Sequence, residues 1–104
     1  MFARIWYGWT CPEQAERYEE LLRDEIFPGI RRRSPEGLEH IDLLRREEGG
    51  ETGFVTIMWF ADRAALERFA GVGGEAAYVP AAARAILARF EARSAHYELR
   101  HRFS

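Results

Sequence analysis

A small set of side chains in this sequence could together bind a planar aromatic molecule and ionise it. Histidine titrates nearest to neutral pH, and His96 is therefore the candidate catalytic base. The guanidinium group of Arg4 could hold an anion. Four aromatic side chains could bind a planar ring or stack on it, namely Trp6, Trp59, Tyr78 and Tyr97. Arg4 and these four aromatic residues are the candidate substrate-binding residues.

The same residues also have structural interpretations. His96 and Arg4 fall on alternating strand positions, where they could pair with Glu98 or Asp42 across an interface. The two tryptophans could be plain core residues, whereas Tyr78 lies near a helix break, where the mouth of a pocket can form. The sequence leaves these alternatives open.

Other reactive side chains do not form a motif. His40 and Asp42 share a strand face, but two ligands do not define a metal site, so no metal site is predicted. The glycines at 71–74 are not followed by the Lys-Ser/Thr pair of a phosphate-binding loop. Cys11 is the only cysteine, which excludes an internal disulfide and is typical of a reducing cytoplasm.

The composition is that of a globular domain in water. A chain of 104 residues is long enough for one domain, predicted over 1–104, with one modest core. The net charge of -2 gives no reason to expect a nucleic-acid partner. No apolar stretch approaches the roughly 20 residues of a membrane span, and the N-terminus lacks a signal-peptide pattern. We therefore expect a cytoplasmic protein without a nucleic-acid or membrane partner.

The element that must organise the chain is a strand over Phe54–Phe60. This run is almost continuously apolar and rich in β-branched and aromatic residues, which predicts a central strand covered on both faces. Asp62 can cap a following helix, and Gly71 can end it. The glycines Gly49-Gly50 predict a hairpin turn between this strand and the one before it.

The remaining elements are, in chain order, a strand over Phe2–Trp9, a helix from Thr10 to about Ile26, a strand over Leu38–Arg46, a helix from Pro80 to about Glu91, and a strand over Ser94–Phe103. Thr10 and Glu13 match a capping box, and Phe27-Pro28-Gly29 is expected to stop the first helix. The basic cluster Arg31-Arg32-Arg33 is expected in a solvated loop.

Side-chain alternation along the last strand assigns a face to each candidate residue. Tyr97 shares its side with Leu99 and Phe103, which predicts that Tyr97 lies against the helices. His96 would then lie on the opposite face of the sheet. A bulge in this strand would reverse the assignment.

The order β-α-β-β-α-β is typical of the ferredoxin-like arrangement, an α+β fold. We expect two helices on one face of a four-stranded antiparallel sheet. The other face carries too many apolar groups to stay in water, and a second copy packed sheet to sheet would bury it. The predicted partner is therefore a second copy of the chain, in a homodimer.

The residues resemble the antibiotic-biosynthesis monooxygenase-like (ABM) family of dimeric α/β barrels. The segments that carry the resemblance are Ala3–Trp6, Met58–Phe60, Ala65–Gly71, Ala76–Pro80 and His96–Leu99. They span nearly the whole chain in the right order. The resemblance implies a homodimer whose two sheets form a barrel, with an apolar pocket between the sheet and the helices of each protomer.

Some members of that family are oxidoreductases that oxidise aromatic polyketides or quinols with molecular oxygen and without metal or flavin, and others degrade haem. The haem-degrading pattern transfers poorly, because the chain has no Asn, and Phe69 and Val79 stand where Trp and His are expected. The resemblance therefore implies a cofactor-independent monooxygenase acting on a phenolic, quinol or polyketide-type aromatic, with His96 as the base. Two alternatives stay open: a non-catalytic dimer that binds a small apolar ligand, and a structural dimer whose pocket is filled by its own side chains.

Overall fold

In the computed structural model, which describes residues 1–33, 36–71 and 74–104, a single antiparallel sheet is covered on one face by helices. Its five strands in this part of the chain are β1 (Phe2–Thr10), β2 (Leu38–Glu48), β3 (Glu51–Phe60), β4 (Arg89–Phe90) and β5 (Ala95–Glu98). The order is β2-β3-β1, and both β4 and β5 pair with β1. The predicted α+β class is confirmed, and the arrangement is compatible with a ferredoxin-like fold.

The helical part begins with a short 3₁₀ turn. The helices are α1 (Ala15–Leu21), α2 (Phe27–Arg33), α3 (Arg63–Ala70) and α4 (Ala81–Arg84), and a π-helical stretch over Leu22–Ile26 joins α1 to α2. In the described residues, every helix is too short or too polar to cross a membrane.

The local signals around β3 are confirmed. The hairpin between β2 and β3 turns at Gly49 and Gly50, which have φ of 57° and 90°, in the region where a glycine is least strained. The Asp62 carboxylate accepts a hydrogen bond from the Ala65 amide at 2.8 Å, as an N-cap. Gly71 ends α3 with φ of 83°.

The start of the first helix differs from the prediction. Thr10 belongs to β1, where it pairs with Thr52, and its buried hydroxyl has no hydrogen-bond partner in the described residues. Cys11 precedes the 3₁₀ turn, and its carbonyl accepts from the Gln14 amide at 3.0 Å. The capping box is wrong because the sheet extends one residue further and takes Thr10 into the ladder.

The predicted end of the first helix is also wrong. The chain stays helical through Phe27-Pro28-Gly29 and continues to Arg33. Because Pro28 has no amide hydrogen to donate, it disrupts a helix least where the backbone hydrogen bonds change from the π to the α pattern. Pro28 lies directly after this change, at the second residue of α2. Arg31, Arg32 and Arg33 therefore lie on α2 and not in a loop.

The C-terminal part contains less regular structure than expected. The helix after Pro80 ends at Arg84, and a short strand follows at Arg89–Phe90. There the Ala88 and Glu91 amides donate to the carbonyls of Trp9 and Tyr7. The exposed edge of β1 thus takes up backbone groups that a longer helix would have paired internally.

The faces of the last strand are the reverse of the prediction. β5 pairs with β1 so that His96 lies opposite Arg4, and the two side chains meet on the helix-covered face. Tyr97 lies on the other face and is 58% exposed. The prediction depends on alternation with Leu99 and Phe103. Because β5 ends at Glu98, these two residues do not define the faces of the strand.

The core lies between the sheet and the helices in two clusters. One joins the ends of β1 and β3 to α2 and α3, and the other joins the middle of β3 to α1 and α4. The buried members are Phe2, Ile30, Leu38, Met58, Phe60, Ala65 and Leu66 in the first cluster, and Ala15, Tyr18, Leu22, Phe54 and Ala83 in the second. The opposite face of the sheet, which we call the outer face, has no layer above it within the described chain.

Candidate functional site

A cavity between the sheet and the helices, which we call the main cavity, is lined mostly by apolar side chains. The space that the centre of a water molecule can occupy in it is about 60 Å³. This space can hold more than one water molecule. β1 contributes Arg4 and Trp6 to its wall, and β3 contributes Thr56 and Met58. The helical residues of the wall are Tyr18, Leu22, Ile26, Phe27, Ile30, Phe69 and Ala83.

The π-helical stretch forms part of this wall. Leu22 and Ile26, at its two ends, both line the main cavity. A π-helical turn is wider than an α-helical turn and often occurs at functional sites. Here it rotates the residues that follow, so that Phe27 and Ile30 also point toward the sheet.

Arg4 is a buried cation at one end of the main cavity. Its side chain is only 5% exposed, and its guanidinium carbon lies 5.4 Å from the centre of the Phe69 ring. Nη1 donates to the Gly74 carbonyl at 3.1 Å, and Nη2 donates to the Ala76 carbonyl at 2.8 Å. Burial lowers the pKa of Arg4, and the carboxylate of Glu75 opposes this only in part.

Arg4 has no carboxylate partner within 4.0 Å in the described residues, and the four residues outside them carry no acidic side chain. An arginine has five N–H groups, of which three are engaged here, with Gly74, Ala76 and His96. Two N–H groups are left without an acceptor in the described chain. A desolvated cation with spare donors is a strong site for an anionic group.

The His96 side chain is held by Arg4, whereas the His96 backbone amide donates to the Glu75 carboxylate at 3.2 Å. Its Nε2 atom lies 2.6 Å from Nη1 of Arg4. Because arginine can only donate, Nε2 must be the unprotonated acceptor and the imidazole must be neutral. Burial lowers the pKa of His96, and the positive charge of Arg4 lowers it further. The expected alternatives, Glu98 and Asp42, are not its partners within the described chain.

His96 also lies outside the main cavity. It lines a different recess of about 160 Å³ together with Phe2, Arg63 and Leu66. Its Nε2 lone pair already accepts a hydrogen bond, so His96 is placed to orient Arg4 and not to take a proton from a molecule in the main cavity. Its role as a catalytic base stays a prediction that this geometry does not favour.

Two of the four candidate aromatic residues are brought together with Arg4. Trp6 and Tyr78 both line the main cavity. The Trp6 indole donates to the Glu91 carbonyl at 2.6 Å, which fixes the orientation of the ring. Tyr78 is 50% exposed, and its hydroxyl accepts from Arg33 at 3.0 Å. Tyr78 therefore stands at the boundary between the cavity and solvent.

The other two aromatic residues lie on the outer face. The Trp59 indole donates to the Asp42 carboxylate at 3.2 Å, and the guanidinium group of Arg102 lies over its ring. Tyr97 is on the same face and exposed. Within this chain, neither residue reaches a molecule bound in the main cavity with Trp6.

Sequence reasoning overlooked two residues of the site. Tyr18 packs edge-on against Phe54 with ring centres 4.8 Å apart, and burial raises its pKa, so its phenol is neutral. Arg33, which the sequence pattern predicts in a loop, lies on α2 and stacks over Tyr78 at 5.3 Å from the ring centre. The spacing of Ile26, Ile30 and Arg33, three positions on one helical face, was a signal for it.

The polar residues in the wall of the main cavity are the cation Arg4, the phenols Tyr18 and Tyr78, and the aliphatic alcohols Thr56 and Ser94. In the described part of the chain, this wall contains no histidine and no carboxylate. Within residues 1–33, 36–71 and 74–104, no group of three or more His, Cys, Asp or Glu side chains is placed to hold a metal ion. In comparisons with known proteins, no family model and no curated protein matches this chain.

Proposed function

We propose that this protein binds a small aromatic molecule with an acidic hydroxyl group, holds it as its anion, and oxidises it with molecular oxygen without metal or flavin. The observation that carries the proposal is the burial of Arg4, without a carboxylate partner, in the wall of an apolar cavity. The resemblance to monooxygenases that need no cofactor points to the same chemistry.

Arg4 supplies the electrostatic part of the mechanism. A positive charge within about 4–6 Å of a phenol favours the phenolate and lowers the pKa of the hydroxyl group. A ring hydroxyl group in contact with the guanidinium group of Arg4 would lie within that range. The substrate is thus ionised by its environment, and its proton passes to solvent without a histidine or carboxylate in the cavity wall.

The electrons come from the substrate itself. The anion of an anthrone-type compound, for example, reduces oxygen as a new carbon–oxygen bond forms at its methylene carbon. One oxygen atom becomes the product carbonyl, and the other leaves as water with the two methylene hydrogens. Atoms and electrons balance, so neither a flavin nor an external reductant is required.

The outer face supports a homodimer as the working form. Its exposed apolar side chains are Tyr7, Leu44 and Tyr97, at 44%, 50% and 58%, and half-buried Ile5, Val55, Ile57 and Trp59 lie among them. A contiguous apolar patch of this kind is typical of a protein–protein contact. A second copy packed face to face would bury both patches.

A second candidate function is binding without turnover. The absence of a histidine or carboxylate from the described wall of the main cavity favours it, because general bases are commonly supplied by these residue types. In this case the dimer would sequester the aromatic anion and protect it from solvent.

Oxygen uptake separates the two candidates. The purified dimer is incubated with a panel of hydroquinones and anthrones in an oxygen electrode, and the product is analysed after reaction under labelled oxygen. We expect uptake above the uncatalysed rate and one labelled atom in the product. Tight binding without uptake across the panel would establish sequestration and refute the oxygenase.

Arg4→Met provides the matched test of the site. We expect this variant to lose uptake while keeping its circular dichroism spectrum and its dimer. Arg32→Met removes the same charge from an exposed position that lines none of the described cavities, and we expect it to behave as wild type. Equal uptake by wild type and Arg4→Met would exclude Arg4 from the reaction.

A further inference from the structure

A second recess, which we call the side cavity, lies against the main cavity. Its volume is about 220 Å³, and its walls are Arg4, Arg33, Phe69, Ala70, Ala76 and Tyr78. Arg4, Phe69 and Tyr78 line both cavities, so the two adjoin at these side chains. A single molecule could therefore extend from one into the other.

The side cavity is electropositive. It brings two guanidinium groups to one recess, one buried on β1 and one at the surface on α2, and no carboxylate lines it in the described residues. Arg33 is held in place by the Tyr78 hydroxyl at 3.0 Å and by the face of the Tyr78 ring. Two cations converging on one recess repel each other unless an anion lies between them.

The donors that remain on Arg4 suit a carboxylate. Two of its five N–H groups have no acceptor in the described chain. Paired N–H groups of a guanidinium match the two oxygens of a carboxylate in a planar bidentate contact. The other walls of the recess, Phe69, Ala70 and Ala76, are apolar and leave Arg4 and Arg33 as its charged groups.

We propose that the side cavity binds a carboxylate carried by the same aromatic molecule that occupies the main cavity. The inference rests on the proposed function and narrows it: the ligand class is a hydroxylated aromatic acid. The hydroxyl-bearing ring lies against Phe69 and Trp6, and the carboxylate lies between Arg4 and Arg33. The carboxylate cancels one of the two positive charges, and the other lowers the pKa of the ring hydroxyl group. The exposed Tyr78 and Arg33 form the entrance to both cavities.

Three matched compounds test the assignment by isothermal titration calorimetry, in a buffer free of carboxylate and phosphate. Gentisate carries two hydroxyl groups and a carboxylate, gentisamide replaces the carboxylate by a neutral amide, and hydroquinone lacks the group. We expect gentisate to bind at least about tenfold more tightly than gentisamide, because charge-assisted hydrogen bonds are stronger than neutral ones.

Two exposed arginines of α2 supply the variant and its control. In Arg33→Gln, the ratio of the two dissociation constants should fall to about twofold or less, since one of the two cations is gone. In Arg32→Gln the ratio should remain as in wild type, because Arg32 lines none of the described cavities. Equal losses in both variants would show that bulk positive charge, and not the side cavity, attracts the acid, and would overturn the proposal.

The results also distinguish this inference from the proposed function. If all three compounds bind wild type with equal affinity, the carboxylate site is refuted while the aromatic pocket stands. If none of them binds, the pocket for small hydroxylated aromatics fails, and the carboxylate site that rests on it fails as well.

Discussion

The buried charge of Arg4 should change the acidity of a phenol bound in the main cavity. A positive charge and a phenolate oxygen about 5 Å apart, within the range over which a charge lowers the pKa of a neighbouring acid, attract each other. At an effective dielectric constant of about 20 this attraction is about 3 kcal/mol, which would by itself lower the pKa of the phenol by roughly two. Apolar surroundings oppose this by disfavouring any anion. We expect the pKa of a bound phenol to be lowered by about one unit.

para-Nitrophenol gives a direct assay, because its anion is yellow and its neutral form is not. Absorbance is titrated against pH with saturating protein and again without protein. In Arg4→Met the cation is lost while the apolar wall remains, so the pKa of the bound phenol should be raised above its value in water. The sign of the change thus differs between the two proteins, and Arg32→Met should follow wild type.

A raised pKa in the wild-type complex would refute the reasoning, since the cavity would then act as a plain apolar environment. The same conclusion would follow if Arg4→Met lowered the pKa as much as wild type does. Melting curves of both variants, measured alongside, verify that the comparison is made between folded proteins.

Three further predictions concern assembly and stability. Leu44→Arg places a charge on the exposed outer face and should convert the proposed dimer to a monomer in sedimentation velocity. A wild-type protein that is monomeric at micromolar concentration would refute the dimer. Burial and the charge of Arg4 lower the pKa of His96 in the folded protein below its ordinary 6.5. The unfolded chain therefore takes up a proton at a higher pH than the folded protein does, and the free energy of unfolding should fall as the pH drops through about 6.5 and below. Urea unfolding at several pH values should show this fall. In His96→Gln, which keeps a hydrogen-bond acceptor but does not titrate, the fall should be smaller. An unfolding free energy that depends on pH in this variant as it does in wild type would exclude His96 as the source of the fall. Asp62→Ala removes the hydrogen bond to the Ala65 amide and should cost about 1 kcal/mol, or about 4–8 °C in melting temperature, and an unchanged melting temperature would contradict the capping role.

The parts of the fold that were predictable are those specified by neighbouring residues. The apolar run of β3, the cap at Asp62, the end of α3 at Gly71 and the turn at Gly49-Gly50 all depend on contacts within a few positions of the chain. The helix through Pro28 is not predictable in this way, because its continuation depends on a π-helical stretch for which the residue types carry no distinct signal.

The site was predictable in its residue types but not in its grouping. The chemistry of Arg4, Trp6 and Tyr78 predicts a binding role for each, and the three side chains share a cavity. The pairing of Arg4 with His96, 92 positions later in the chain, depends on the register of β5 against β1, and alternation along one strand does not determine this register. Distant contacts of this kind require the folded chain.

The π-helical stretch has a consequence for insertions and deletions in this part of the chain. Each residue of an α-helix advances the side-chain direction by about 100°, so removing one residue from Leu22–Ile26 would turn all of α2 by that angle. Ile30 would then no longer point into the core, and Arg33 would point away from Tyr78 and the side cavity. The length of this segment therefore determines which side chains of α2 point toward the sheet. Homologous chains that keep the electropositive recess should also keep the number of residues in the π-helical stretch.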